Sequence, residues 1–316
     1  MTRSLAHPVP RCACIDIGSN TTRLLVAEDG EGRPRELFSE RAFTRLGSAR
    51  DAHGEIGEQK VAEVAAVVAR QVALAREHGV AQPRIVATSA FREAVNAAEL
   101  TAAICGACGI APEILSGEEE ARLAFAGAIG MLASPPPGLL AVVDVGGGST
   151  EVVVGTRGGG VTWSVSLALG SCTVTDRDLP SDPPSGRELT LLRQKLLRAF
   201  SDIDAPTPQY AYAVGGSATS LQRLVGGVLS NDALARGLQA LVTRPSAAVA
   251  LALGLHAERA RLLPAGLLLL DAASRALNAP LQLAGGGLRE GVVLEQLARL
   301  AAGARSHAGD AAQPPA

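Results

Sequence analysis

The chain has 316 residues, 47% hydrophobic and 19% charged, with a formal net charge of −2. It is long for one compact domain and comfortable for two, with enough apolar residues for sizeable cores. The near-neutral balance and the lack of a long basic run exclude a duplex nucleic-acid binder, which needs a basic stripe.

Residues 1–10 read as a loose arm, and "MTRSLAHPVPRC" has no apolar core of signal-peptide length. "CACIDIG" and "RLLVAE" are expected strands joined by the turn "GSNT". A long helix is expected from Glu58 to His78, stopped by Gly79. "PRIVATS" reads as a strand, "AFREAVNAAELTAAICGAC" as one helix, "PEILS" as a strand and "GEEEARLAFAGAIGML" as a helix. The three prolines of "ASPPPG", residues 133–138, suit a hinge or domain boundary.

After that boundary, "LLAVVDV", "STEVVVG" and "WSVSLALG" are expected strands of a second sheet. "SDPPSG" is a loop, "RELTLLRQKLLRAF" an amphipathic helix, and "QYAYAVGGSATSLQRL" a strand, glycine turn and helix. The remainder to about residue 302 reads as mostly helical, and "GARSHAGDAAQPPA" as a disordered tail. The most apolar run, Leu262 to Leu270, is interrupted by Pro264 and too short to span a bilayer. No membrane partner and a cytoplasmic location are therefore expected. Of five cysteines, Cys105 and Cys108 form a C-x-x-C pair, but no matching second pair supports a zinc site. Small core residues are the simpler reading, with Cys12 and Cys14 on one face of a strand.

The chain contains an internal repeat. "CIDIGSNTTRLLVAE" and "AVVDVGGGSTEVVVG" each have a strand ending in Asp, one apolar residue, Gly, a small polar turn and a second strand. Asp16 matches Asp144, Gly18 matches Gly146, and Arg23 and Glu151 each lie seven residues after their aspartate. Two similar α/β domains facing each other across a cleft are the simplest arrangement.

A turn without side chains lets a ligand approach the backbone, where successive N–H groups can converge on an anion. Gly146, Gly147, Gly148, Ser149 and Thr150 form one candidate phosphate cradle, and Ser19, Asn20 and Thr21 supply hydrogen-bonding groups in the matching turn. Gly215, Gly216 and Ser217 form a third, where a strand meets a helix N-terminus. Carboxylates beside phosphate repel it unless a divalent cation lies between, so Asp16, Asp144 and Glu151 read as partners of Mg²⁺, with Mn²⁺ also compatible. Simple turn capping is the alternative for the aspartates.

In "SGEEEARL", Ser116 and Glu119 fit a capping box, and Glu118 is spaced to pair with Arg122. Glu120 shares a helical face with Leu123, Ala124 and Gly127, where burial would raise its pKa and make it a general base. By spacing alone the better reading is one more solvated acid of the first turn. Arg92 and Arg23 could hold phosphate, although arginines are commonly solvated surface.

Together "IDIGSNTTRLLV", "TSAFREAVN", "ILSGEEEARLAFAG", "VVDVGGGSTEVVVG", "AVGGSATSL", "ERARLLPAGLLLLDA" and "GLREGVV" resemble the exopolyphosphatase and guanosine pentaphosphate phosphatase (Ppx/GppA) family over about residues 15–295. The resemblance implies an α/β fold of two ribonuclease-H-like domains, of the actin-like, sugar-kinase and Hsp70 type, around an interdomain cleft. These would span 11–130 and 137–288, with a C-terminal helix at 289–302 joining the first and flexible tails at 1–10 and 303–316. It implies Mg²⁺-dependent release of terminal orthophosphate from polyphosphate or conversion of pppGpp to ppGpp, with Glu120 as the catalytic glutamate. Asp144 and Glu151 then correspond to the family's acidic residues, Asp16, Ser19, Asn20 and Arg23 to its first loop, and Arg92 to its arginine. Longer relatives carry further C-terminal helical domains, so short chains or pppGpp are the expected substrates of this one, with a homodimer as one candidate assembly. A nucleotide or alarmone sensor with little turnover is the alternative function, and a kinase of the same superfamily a third.

Overall fold

The computed structural model describes residues 9–30 and 32–310. The expected flexible tails at residues 1–8 and 311–316 lie outside the described residues. In the first half, β1 (Arg11–Ile17), β2 (Thr22–Asp29) and β3 (Pro34–Ala42) form an antiparallel meander. Helix α1 (Glu58–Glu77) leads to β4 (Arg84–Ala87), which pairs parallel to β1. Helices α2 (Ser89–Arg92) and α3 (Ala97–Cys108) precede β5 (Glu113–Ile114), and α4 (Gly117–Met131) ends this half.

The second half repeats the plan. Strands β6 (Leu140–Val145), β7 (Thr150–Thr156) and β8 (Gly160–Leu167) form an antiparallel meander, followed by helices α5 (Ser171–Asp178) and α6 (Gly186–Ser201). Strand β9 (Tyr210–Val214) pairs parallel to β6 and leads into α7 (Gly215–Val225). Then come β10 (Val228–Leu229), α8 (Asn231–Val242), α9 (Ser246–Leu253), α10 (Ala257–Ala276), β11 (Leu281–Leu283) and α11 (Leu288–Asp310). The sheets run β3-β2-β1-β4-β5 and β8-β7-β6-β9-β11-β10. Both follow the ribonuclease-H-like order, with the second strand antiparallel, and the two domains enclose a cleft as the sequence implied.

The central strands explain the unbroken valine runs. Ala141, Val143 and Val145 of β6 face one core, while Leu140 and Val142 face another beneath α4. In β1, Ala13, Ile15 and Ile17 face the α1 side, and Cys12 and Cys14 pack with residues of α4 and α11. A strand covered on both faces reads as continuous apolar sequence, not as alternation. Cys12, Cys14 and Cys172 are buried as expected, whereas Cys105 is exposed.

Several elements differ from expectation. The helix expected over residues 90–108 is two helices, broken where the Asn96 side chain donates to Ile56 O and accepts from Ile56 N, both at 2.9 Å. Strand β3 was not foreseen, because its sequence RELFSER has no period-two alternation and is exposed or only partly buried at a sheet edge. Helix α11 continues through residues 303–310, part of the segment expected to be disordered. No helix among the described residues is long and apolar enough to cross a membrane.

Helix α4 packs on both sheets. Ala121, Phe125, Ala128 and Ile129 enter the core of the second sheet, while Leu123 packs with Val292 and Val293 of α11 against β1. Its contact with α11 is closed by glycines. A Cβ at Gly127 would lie 2.6 Å from Gly291 N, and one at Gly291 would lie 2.8 Å from the carbonyl carbon of Leu123. Neither backbone can yield without separating the helices, so Gly127→Ala and Gly291→Ala are each expected to cost about 1–3 kcal/mol through overpacking. Thermal unfolding should show a lowered Tm for both. Gly106→Ala, whose Cβ would meet nothing within 4 Å, should leave Tm unchanged or slightly raised.

Candidate functional site

The repeated hairpins turn in the same way. Gly18 N donates to Thr21 O at 3.0 Å, and Gly146 N donates to Ser149 O at 3.0 Å. In each hairpin the aspartate stands opposite the residue seven places on, Asp16 opposite Arg23 and Asp144 opposite Glu151. The two turns meet across the cleft. A Cβ at Gly147 would lie 3.1 Å from Asn20 N, and one at Gly148 would collide with Ser19 Oγ and Ser89 Oγ. Those two hydroxyls are 3.0 Å apart. The glycines are thus needed for the close approach of the two domains.

The cleft between the turns has a volume of ≈ 340 Å³. Asp16, Ser19, Asn20, Thr21, Arg23, Glu120, Asp144, Gly146, Gly147, Gly148, Ser149, Glu151, Gly215 and Gly216 all line it. Three expected site residues stand behind the wall instead. The Thr150 hydroxyl donates to Leu169 O at 2.6 Å and so fixes the strand. Ser217 is fully buried, against Gly266. Arg92 Nη1 donates to Glu120 Oε2 at 2.9 Å and to Leu115 O at 2.7 Å, so that this part of the guanidinium holds a carboxylate.

Glu120 sits in the first turn of α4 and is 9% exposed. Burial pushes its pKa up to about 7; the Arg92 bond opposes the rise, and nearby Asp16 and Asp144 add to it. The neighbouring acids have other work. Ser116 Oγ caps the helix by accepting from Glu119 N at 3.1 Å. The Glu119 carboxylate binds Arg122 through bonds of 2.8 and 2.7 Å, and Arg122 also pairs with Glu295 of α11. The pairing expected between Glu118 and Arg122 does not form. The capped acidic turn therefore delivers only its third glutamate to the cleft.

Four carboxylates crowd this space. Burial, with Asp16 next, pushes Asp144 up to about 6. Asp16 is raised mainly by burial, against the pull of Arg23, and its Oδ1 is buried with no hydrogen-bond partner. Glu151 is 2% exposed, accepts from Ser166 Oγ at 2.8 Å, and is raised well above its ordinary value by burial and then Glu120. Among the described residues, no three acidic, His or Cys side chains converge as a ready-made metal cage.

Arginines face these acids. Burial and then Arg289 and Arg41 bring the Arg23 guanidinium down to about 9. Arg259 is 8% exposed, lies beneath Gly216, and has an Nε without a partner. Arg259, Arg289, Glu290, Ser89 and the Gly285–Gly287 turn line the cleft but were not singled out from sequence. Their signal in the sequence was that Ser89, Arg259, Gly287, Arg289 and Glu290 fall within the family-like stretches "TSAFREAVN", "ERARLLPAGLLLLDA" and "GLREGVV".

Comparison with known proteins converges on one family. The family model described as the Ppx/GppA phosphatase family matches residues 25–300. A Mycobacterium tuberculosis protein named exopolyphosphatase 2 is 35% identical over 238 residues, 71% of this chain and 74% of its own length. Exopolyphosphatase 1 of Mycobacterium leprae is 32% identical over 305 residues, 91% of this chain and 89% of its own length. The solved structure of the Aquifex aeolicus Ppx/GppA family member superposes with a TM-score of 0.79 at 28% identity, covering 92% of this chain and 99% of that one. With the family model matched along nearly the whole described fold, this chain belongs to the Ppx/GppA phosphatase family.

Proposed function

We propose that the chain is a phosphoanhydride hydrolase that releases terminal orthophosphate from inorganic polyphosphate. One observation carries the reading: a buried glutamate, raised to about 7 and clamped by Arg92, opens onto a cleft walled by two glycine turns. The exopolyphosphatase names of its relatives support it. The terminal phosphoryl group lies between the turns, where backbone N–H groups and Arg23 stabilise charge spread over its oxygens. Water attacks the terminal phosphorus and its proton passes to the Glu120 carboxylate. The bond to the bridging oxygen breaks, that oxygen keeps the electron pair on the shortened chain, and orthophosphate is released.

The acidic set fits a hard, oxygen-preferring cation. Asp16 Oδ1 is a buried acceptor without a donor, and Asp16 and Asp144 lie close enough to affect one another. Asp16 and Asp144, with Glu151 behind them, would hold Mg²⁺ or Mn²⁺, with water and phosphate oxygens completing the coordination shell. The bound cation would offset the repulsion between these carboxylates and the phosphate oxygens. Among the described residues no aromatic ring lines the cleft. The exopolyphosphatase names of the relatives favour inorganic polyphosphate over pppGpp as the substrate.

Glu120→Gln should lower orthophosphate release by about 10²–10⁴-fold while polyphosphate binding persists. Near-normal turnover of that variant would remove Glu120 from the mechanism. A wild-type protein that binds a nucleotide yet releases no orthophosphate from tripolyphosphate, long polyphosphate or pppGpp would point to a sensor instead.

The pH profile follows from the sign of the Glu120 shift. Only the deprotonated carboxylate accepts a proton, so kcat/KM should rise with pH and level off above about 7. Arg92 favours the charged form, so Arg92→Met should move this acid limb to higher pH. Chelation by EDTA should abolish release, and added Mg²⁺ should restore it.

A further inference from the structure

One strand pair at the cleft carries a repulsion that folding does not need. In the antiparallel register of β2 and β3, Arg23 stands directly opposite Arg41. Directly opposed residues project from the same face of a sheet, and like charges there are destabilising. Asp16 stands opposite Arg23 on its other side, so Asp16, Arg23 and Arg41 form one row across three strands. Arg23 alternates with Leu25 and Ala27, which pack with residues of α11. The row therefore runs along the face that α11 covers, towards the helix end that carries Arg289.

Among the described residues, neither Arg23 nor Arg41 makes an ion pair, and Arg289 has only its neighbour Glu290, at 3.5 Å. Arg23 and Arg289 both line the cleft, and burial and then Arg289 lower the pKa of Arg23 and of Arg41. The acid next to Arg41 cannot neutralise it. Glu40 projects from the opposite face and is bound by Arg70 and Gln71. Arg41 is exposed, one strand outward from the cleft wall. Strands lie roughly 4.8 Å apart, so the row offers successive cations leading from the turns to the sheet edge.

We propose that Arg41, with Arg23 and Arg289, forms a rim subsite for the phosphates behind the one being cleaved, guiding the polyphosphate chain out over β3. This rests on the polyphosphate reading and deepens it. The enzyme would then recognise at least the terminal group and the units that follow it, although its net charge shows no basic track. A polyanion on the row turns the like-charge repulsion into shared attraction.

The test uses Arg41→Gln, Arg41→Glu and Arg41→Lys in the full chain, assayed on tripolyphosphate and on long polyphosphate. Arg41→Gln should raise KM for long polyphosphate by about tenfold, kcat changing less. Arg41→Glu should raise it further, and Arg41→Lys should recover part of the loss. The dependence of KM on salt should flatten in Arg41→Gln, since one ionic contact is gone. Thermal unfolding should find Arg41→Gln at least as stable as the wild type, because a like-charge pair is relieved. That combination of weaker binding with equal or greater stability would not arise from a structural role. An unchanged KM and salt slope in both Arg41→Gln and Arg41→Glu would overturn the rim. If the wild type releases no orthophosphate, the hydrolase reading fails, and direct titration of the same variants with tripolyphosphate still decides the subsite.

Discussion

Helix α4 is shared between two sheets, and the chemistry of the cleft depends on that sharing. One side of the helix fills the core beneath β6 and β7, and the other meets α11 through the paired glycines 127 and 291. Because both sides are committed, the helix cannot rotate or slide without opening a core. Its first turn, capped by Ser116, then has one available place, at the mouth of the two hairpin turns. The packing that places Glu120 also removes its water. Position and proton affinity thus have one cause, since desolvation is the largest influence on this carboxylate. Outside the helix, the lobes also touch where Phe43 stacks on His256, with ring centroids 4.2 Å apart, and where Arg45 pairs with Glu258.

The cleft concentrates charges that a stable core would avoid. Glu120, Asp144, Asp16 and Glu151 are all driven up by burial, and Arg23 and Arg259 are driven down by it. Each group is destabilised in its charged form, and few are paired with each other. Arg259 Nε and Asp16 Oδ1 have no partner at all. Such unmet polar groups are expensive in a folded protein, and they persist where a ligand meets them. The apolar cores on either side of β1 and β6 hold the arrangement together, so stability and function draw on different layers of the same sheets.

Much of the cleft was legible before the fold was known. The two Asp-x-Gly hairpins are local, and their repetition revealed two facing domains without any long-range information. The two sheets followed from the same runs of Val, Ile and Cys. Glu120 was different. By spacing it was indistinguishable from a solvated acid, because its burial comes from contacts with both sheets, and only the family resemblance singled it out. The role expected for Arg92 was also incomplete, since its bonds to Glu120 and Leu115 O join residues far apart in sequence. Strand β3 escaped notice because an edge strand with one partly covered face lacks a clean period-two pattern. Its register, and with it the Arg23–Arg41 pair, could not be read at all.

The repeat is most informative where it is broken. Both hairpins share the aspartate, the glycine and the turn hydrogen bond, yet the residue across from the aspartate is Arg23 in one and Glu151 in the other. In the first domain a cation is set beside the aspartate, and Arg41 and Arg289 extend the positive charge outward. In the second, an acid is set beside an acid, and Glu120 arrives from α4 to make the cluster denser. The duplicated scaffold therefore has an electrical direction across its cleft. Under the proposed hydrolase reading, an elongated anion would lie with its body towards the first domain and its end among the carboxylates, where the proposed cation would offset their repulsion. Two identical hairpins would have built a symmetric cleft; the exchange of Arg23 for Glu151 gives its two sides different charge.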